Sequence, residues 1–373
     1  MCKRGHEVFA FTARTTLDKV PVGLHVSEFR PSAISRKLIH SLRAFEYGWQ
    51  SNSVYHRLRR SLGAFDAVWR MHPYHTACAV APATLGCPMI VGPITDSWPR
   101  AQSTSTQFGR PRFGVGLGGV LRLFRLRAWQ RTIKRADTIV VSRRSLIEKL
   151  PTLSADCNVA VLPMIVEPPN GCLAGARTFS TNMARAVRLV FVGGLWENKR
   201  PLVVCHTVDV LRRKGIDARL TVCGDGPLRR QMEQIAVEGA WGDALVLRGN
   251  IPNVEIYEQL AQSDVLVSTA VGEPYGRNVV EAMCVGTPVI AHRSGGPAEI
   301  ITHDQDGWLV DNSIDEAFAT AVEEVFQPER WNRLSNGALA TAQQWRGEVV
   351  GAQLDKLFLE TRARHERNSA TRS

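Results

Sequence analysis

Ser263-Asp-Val-Leu-Val-Ser-Thr269, then Glu273-Pro-Tyr-Gly-Arg-Asn-Val-Val-Glu281, then Thr287-Pro-Val-Ile-Ala-His292, reads as strand, loop, helix and strand in succession. The short apolar run before the loop suits a buried strand, and Gly276 opens a helix over Arg277 to Val285. Glu273 then falls in the crossover loop, and Glu281 lies about one turn inside the helix. Free backbone N–H groups at the start of that helix point into the same space as both carboxylates. Such a pocket suits a ligand carrying phosphate and hydroxyl groups together, as a nucleotide-sugar does.

Upstream, Arg188-Leu-Val-Phe-Val-Gly-Gly194 opens the series as a strand. Helix Pro201 to Lys214, strand Ala218-Arg-Leu-Thr-Val-Cys223, helix Leu228 to Glu238 and strand Ala244 to Arg248 continue it. Strands alternating with helices predict an α/β, doubly wound parallel sheet. The first half repeats the pattern with strands in Phe65–His72, Cys87–Pro93 and Ala136–Ser142, and near the start Gly5 to Thr12 turns into a strand. Residues 163–182 show neither period and suit an interdomain linker. The expected division is an N-terminal domain over 1–165 and a C-terminal one over 166–347. A helix over 348–365 follows, with Val349, Val350, Leu354, Leu357 and Phe358 along one side, and 366–373 form a frayed tail.

The chain has 373 residues, enough for two cores of ordinary size, and a net charge of +11. Residues 1–170 hold 24 Lys and Arg against 10 Asp and Glu, leaving 22 against 25 in the remainder, so the basic surface belongs to the first half. Gln107 to Arg135 interleaves eight cations with Leu, Phe and Trp, and reads equally as an amphipathic membrane-surface stretch or as an ordinary core helix. An anionic membrane surface is therefore a candidate partner; aromatics are too sparse for a nucleic-acid platform. Eight scattered cysteines without metal-ligand spacing predict reduced thiols, and no apolar run is long enough to span a bilayer. These features point to the cytoplasm, either free or peripheral at the inner face of the membrane.

Phe191-Val-Gly-Gly-Leu-Trp-Glu-Asn-Lys199-Arg200 puts two small residues at a strand end and cations just beyond, a loop able to approach and neutralise a pyrophosphate. Lys199 is the expected phosphate ligand, and Arg277 a second. Cys223-Gly-Asp-Gly-Pro-Leu228 lacks the third glycine of a dinucleotide fingerprint and reads as a tight turn. His303-Asp-Gln-Asp306-Gly307 reads as a polar turn, so no metal is expected. His72 and His75 follow a strand and could reach a cleft.

Taken together, Glu-x7-Glu, Gly286-Thr-Pro-Val-Ile-Ala291, Ser294-Gly-Gly-Pro-Ala-Glu299 and the Gly-Asp-Gly-Pro-Leu turn resemble the donor half of the family-4 retaining glycosyltransferases. The resemblance implies a GT-B fold, two doubly wound Rossmann-like domains facing across a cleft, with the C-terminal helix over 348–365 crossing back to the N-terminal domain. It implies hexose transfer from a UDP- or GDP-sugar to the hydroxyl of a glycan or lipid-linked acceptor, with retention and without a metal or other cofactor, in polysaccharide or glycolipid assembly. In this scheme Glu281 binds the ribose and Glu273 the transferred sugar, while Lys199 stabilises the leaving pyrophosphate. Gly193, Gly194, Tyr275, Gly276, Arg277 and Arg248 complete the donor site.

The chain departs from the pattern at three places. Gly194 stands where the family usually has Arg, and Ile94-Thr95-Asp96 where a His is usual. The segment Arg4 to Val8 is expected to follow a first strand, a Gly-rich loop and a first helix that this sequence lacks. The alternatives are a non-catalytic, membrane-binding protein and a GT-B sugar-nucleotide epimerase; Glu-x7-Glu favours transfer.

Overall fold

A computed structural model describes residues 2–12, 21–28, 40–70, 86–94, 130, 132–169, 179, 186–311 and 315–370. Two compact units emerge: Pro163–Val350, and Met1–Leu162 joined by Gly351–Ser373. The boundary thus falls three residues before the expected one, and the expected linker belongs to the second unit. Val166 donates its N–H to Trp345 O at 3.0 Å, and Phe179 is buried against Phe326 and Trp331.

The second unit holds six parallel strands: β7 (Val187–Val192), β8 (Ala218–Cys223), β9 (Leu245–Gly249), β10 (Val265–Ser268), β11 (Val289–His292) and β12 (Trp308–Val310). They lie in the order β12-β11-β10-β7-β8-β9. Between them run α2 (Pro201–Arg213), α3 (Arg229–Glu238), α4 (Asn253–Gln262), α5 (Arg277–Cys284) and α6 (Gly295–Ile300), followed by α7 (Asp315–Val325) and α8 (Pro328–Ala342). Two apolar clusters flank the sheet. Leu189 and Phe191 face one and Val190 and Val192 the other, which is why β7 is apolar without alternation.

The strand order reverses between β7 and β10, which pair through Leu189 with Val265 and Val190 with Leu266. Asp264, 1% exposed in its side chain, fixes that pairing from below. Its carboxylate accepts Arg188 N at 2.8 Å and Arg188 Nη2 at 3.0 Å, and its carbonyl accepts Trp331 Nε1 at 2.8 Å. In an open parallel sheet, the carboxyl ends of strands at such a reversal splay their loops apart and leave a crevice.

The first unit has a four-stranded parallel sheet, β3 (Val68–Arg70), β4 (Met89–Ile94), β5 (Thr138–Val141) and β6 (Asn158–Val161), in sequential order. A separate parallel pair joins β1 (Val8–Thr12) to β2 (Leu24–Glu28), and α1 spans His40–Leu62. Ile90, Ile139 and Val140 are fully buried.

The C-terminal helix α9 (Gly347–Ala370) begins in the second unit and belongs to the first from Gly351 onward. It extends past Arg364, so residues 366–370 are helical rather than a frayed tail. Val350, Leu354 and Leu357 are buried and Phe358 meets Trp69 edge-on, whereas Val349, expected on the same side, is 40% exposed. Inside the first unit Thr361 Oγ1 donates to Leu357 O at 2.7 Å, so the Thr138 hydroxyl, also 2.7 Å away, donates to Thr361. Thr361→Val should leave the buried Thr138 hydroxyl without an acceptor and cost about 1–3 kcal/mol by urea unfolding. Thr361→Ser should cost less; equal losses would remove the hydroxyl pair from the argument.

The expectations at His72, His75, Thr95 and Asp96, and most of the basic stretch 107–135, lie outside the described residues. No described helix is long and apolar enough to cross a membrane. Cys2, Cys87, Cys157, Cys205, Cys223 and Cys284 are free thiols.

Candidate functional site

At the carboxyl ends of β7 and β10 lies a cavity of about 320 Å³, lined at one side by Gly193, Gly194 and Lys199 and at the other by Glu273, Arg277 and Glu281. Each wall is a loop that backbone packing holds in place. The Gly193–Leu195 segment rests on the Gly224-Asp225-Gly226 turn: Gly193 N donates to Cys223 O and Leu195 N to Asp225 O, both at 3.0 Å. A Cβ on Gly224 would stand 2.0 Å from Gly193 O, and one on Gly226 2.6 Å from Leu195 O. The two glycines of this turn therefore allow contact between two backbones, which supports the reading of a tight turn over a dinucleotide fingerprint.

The opposite wall is built alike. Ser294-Gly295-Gly296 lies under Glu273 to Tyr275, where a Cβ on Gly295 would approach Glu273 O to 2.2 Å and one on Gly296 Tyr275 O to 2.1 Å. Gly296 N donates to Glu273 O at 2.7 Å, and Gly272 N to Ser294 Oγ at 2.8 Å. Gly276, at φ +81, turns the chain into α5 in a left-handed conformation that side chains resist. It is buried and shapes the helix entry without lining the cavity.

The functional side chains pair across the cavity and within it. Lys199 Nζ donates to Glu273 Oε2, joining residues 74 apart in sequence. Thr269 Oγ1, at the end of β10, lies 2.9 Å from Lys199 O and 2.8 Å from Arg200 O, clamping the Lys199 turn to the reversal point. Arg277 Nε donates to Glu281 Oε1 at 2.8 Å. Glu281 has only 5% of its side chain exposed; burial pushes its carboxyl upward, and the Arg277 hydrogen bond and charge pull it back. Arg277, expected on phosphate, thus also neutralises the carboxylate beside it. Asn278 Nδ2 donates to Val192 O at 2.9 Å, tying the start of α5 to the end of β7.

Two further expected site residues, like Gly276, fall outside the cavity lining. Tyr275 does not line the cavity: its hydroxyl accepts Met164 N and donates to Met164 O at 3.2 Å, and burial pushes its pKa up to about 12. Arg248 sits exposed on β9, paired with Glu255 of α4 at 3.3 Å, and its side chain is not part of the cavity lining. Asn253 and Ile256, from the first turn of α4, line the wall instead, together with Ser268 and Thr269. Asn253 and Thr269 end a loop and a strand, polar positions that composition alone does not separate from ordinary caps. In the Asp-x-Asp turn, Asp306 accepts Thr302 N and Thr341 Oγ1, both at 2.7 Å.

This arrangement can hold an anion against Lys199, Arg277 and the glycine backbone, and hydroxyl groups against Glu273 and Glu281. Residues 182–339 match the family model for glycosyl transferases group 1. Over 111 residues the chain is 37% identical to a 2-deoxystreptamine glucosyltransferase of Streptomyces kanamyceticus, covering 30% of this chain and 29% of that protein. Over 249 residues it is 28% identical to a GDP-mannose-dependent α-(1-6)-phosphatidylinositol dimannoside mannosyltransferase of Mycobacterium tuberculosis, 64% of this chain and 63% of that one. The matches therefore span less than two thirds of either relative.

Among solved structures, sucrose-phosphate synthase from Thermosynechococcus elongatus aligns over 97% of this chain and 90% of its own, with TM-score 0.68 and 17% identity. Anabaena HepE in complex with UDP-glucose aligns over 90% and 86%, with TM-score 0.63 and 15% identity. The fold is GT-B.

Proposed function

We propose that this chain, whose residues 182–339 match the group 1 glycosyltransferase model, moves a hexose from a UDP- or GDP-sugar to an acceptor hydroxyl with retention of configuration. The observation that carries the reading is the Lys199–Glu273 pair facing Glu281 and Arg277 in one cavity at the strand-order reversal. A nucleoside diphosphate presents hydroxyls at its ribose and negative charge at its phosphates, and a sugar adds hydroxyls beyond. Glu281 accepts hydrogen bonds from the ribose, Glu273 from the transferred sugar.

As the bond from the anomeric carbon to the diphosphate breaks, charge grows on the leaving phosphate. Lys199 and the N–H groups at the start of α5 stabilise it. The acceptor oxygen bonds to the anomeric carbon, and its proton passes to the departing phosphate. No protein base and no metal take part in this scheme. The named relatives include a glucosyltransferase and a GDP-mannose-dependent mannosyltransferase, and HepE was solved with UDP-glucose, which supports a nucleotide-sugar donor without fixing the base. The acceptor is a glycan or a lipid-linked sugar, and the basic first half suits approach to an anionic membrane surface from the cytoplasmic side.

Purified protein incubated with UDP- and GDP-hexoses and candidate acceptors should release the nucleoside diphosphate and give a product of unchanged anomeric configuration by NMR, with chelator present. Lys199→Ala should lower kcat by roughly 10²–10³-fold while leaving the unfolding midpoint near native. Free sugar or epimerised donor formed without acceptor would indicate an epimerase. Absence of UDP and GDP binding by calorimetry would remove the reading altogether.

A further inference from the structure

Trp196 stands in the wall loop yet has no part in the core: its side chain is 56% exposed, beside Leu195, which is fully buried. Its backbone is held on both sides. Leu195 O accepts Leu228 N at 3.2 Å, and Trp196 O accepts Lys199 N at 2.9 Å. The indole lies against Gly194, a cavity-lining residue. A Cβ on Gly194 would stand 2.7 Å from Trp196 Cδ1 and 2.9 Å from Nε1, so the pyrrole edge fills the space where a side chain at 194 would begin.

Two less exposed indoles spend their N–H within the protein: Trp69 Nε1 on Gly92 O at 2.9 Å and Trp331 Nε1 on Asp264 O at 2.8 Å. Trp196 Nε1 makes no hydrogen bond among the described residues. Trp196 is not itself among the residues lining the cavity; its indole edge meets the cavity rim through Gly194, which does line it, and Lys199, another lining residue, follows three residues later in the same turn.

We infer that Trp196 is a ligand-contacting residue whose indole N–H donates to a phosphate oxygen of the bound nucleoside diphosphate, in the space that Gly194 leaves open for it. The inference rests on the nucleotide-sugar reading above. An indole N–H is a neutral donor, and against an anionic oxygen the bond is charge-assisted. Gly194 and Trp196 then act as one unit: a side chain at 194 and the indole at 196 exclude each other.

The test measures UDP and GDP affinity by calorimetry on the full chain, with thermal unfolding as a control. Trp196→Phe keeps an aromatic ring and loses the N–H; it should weaken binding about tenfold or more with the unfolding midpoint unchanged. Gly194→Ala should weaken binding in the native background and have no further effect in Trp196→Ala, because the clash partner is gone. Unchanged affinity in Trp196→Phe, or loss only in Trp196→Ala, would overturn the hydrogen bond, as would additive effects of the two sites. A native protein that binds neither UDP nor GDP would instead refute the parent reading.

Discussion

Glu281→Gln is expected to weaken UDP and GDP binding by roughly 10- to 100-fold, the cost of losing a hydrogen bond to a charged group. The same change should leave stability equal or higher. Glu281 is 4% exposed, and burial raises its carboxyl above the ordinary range despite Arg277. A raised folded-state value means that the unfolded chain releases this proton first. Its contribution to stability is therefore greatest below the unfolded pKa and is lost as pH rises through the folded one. Glu281→Gln removes that dependence, so its urea midpoint should fall less than the native one between pH 4 and pH 7 (~pH values bracketing a carboxylate). Unchanged nucleotide affinity would show that the carboxylate is merely the partner of Arg277.

Gly224→Ala is expected to cost on the order of 3 kcal/mol or more, because the new Cβ overlaps the Gly193 carbonyl in addition to straining a backbone at φ +147. Gly215 supplies the comparison, since it has φ +82 with nothing within 4 Å of a Cβ. Gly215→Ala should cost only ~1 kcal/mol of backbone strain. Urea unfolding of both variants separates the two contributions. Equal losses would mean that the turn does not support the Gly193 loop, and nucleotide binding should follow the larger loss if it does.

Much of the fold was legible because local rules agree with it. Strand Ala218–Cys223 matches its expected bounds, and Pro201 at the first turn and Gly276 before Arg277 mark helix starts for reasons confined to neighbouring residues. Residues 366–370 were misjudged because polar composition does not end a helix that is already propagating from a packed segment. Tyr275 and Arg248 are expected at the donor site from the resemblance, through the backbone around them, and sequence does not tell where their side chains go. The Tyr275 hydroxyl reaches back to Met164, 111 residues away, and Arg248 turns to Glu255.

By itself the sequence determined the alternation of strands and helices, the apolar strand cores and the identity of the two carboxylates, the lysine and the glycine turns. Periodicity and turn chemistry act over a few residues, and they leave a readable trace. Only the tertiary structure decided that β10 lies beside β7 instead of beside β9. That choice brings Lys199 to Glu273, lets Thr269 clamp the Lys199 turn and sets Asn278 against Val192. It depends on burying both sheet faces at once and on Asp264 holding Arg188, long-range conditions that no window of sequence contains.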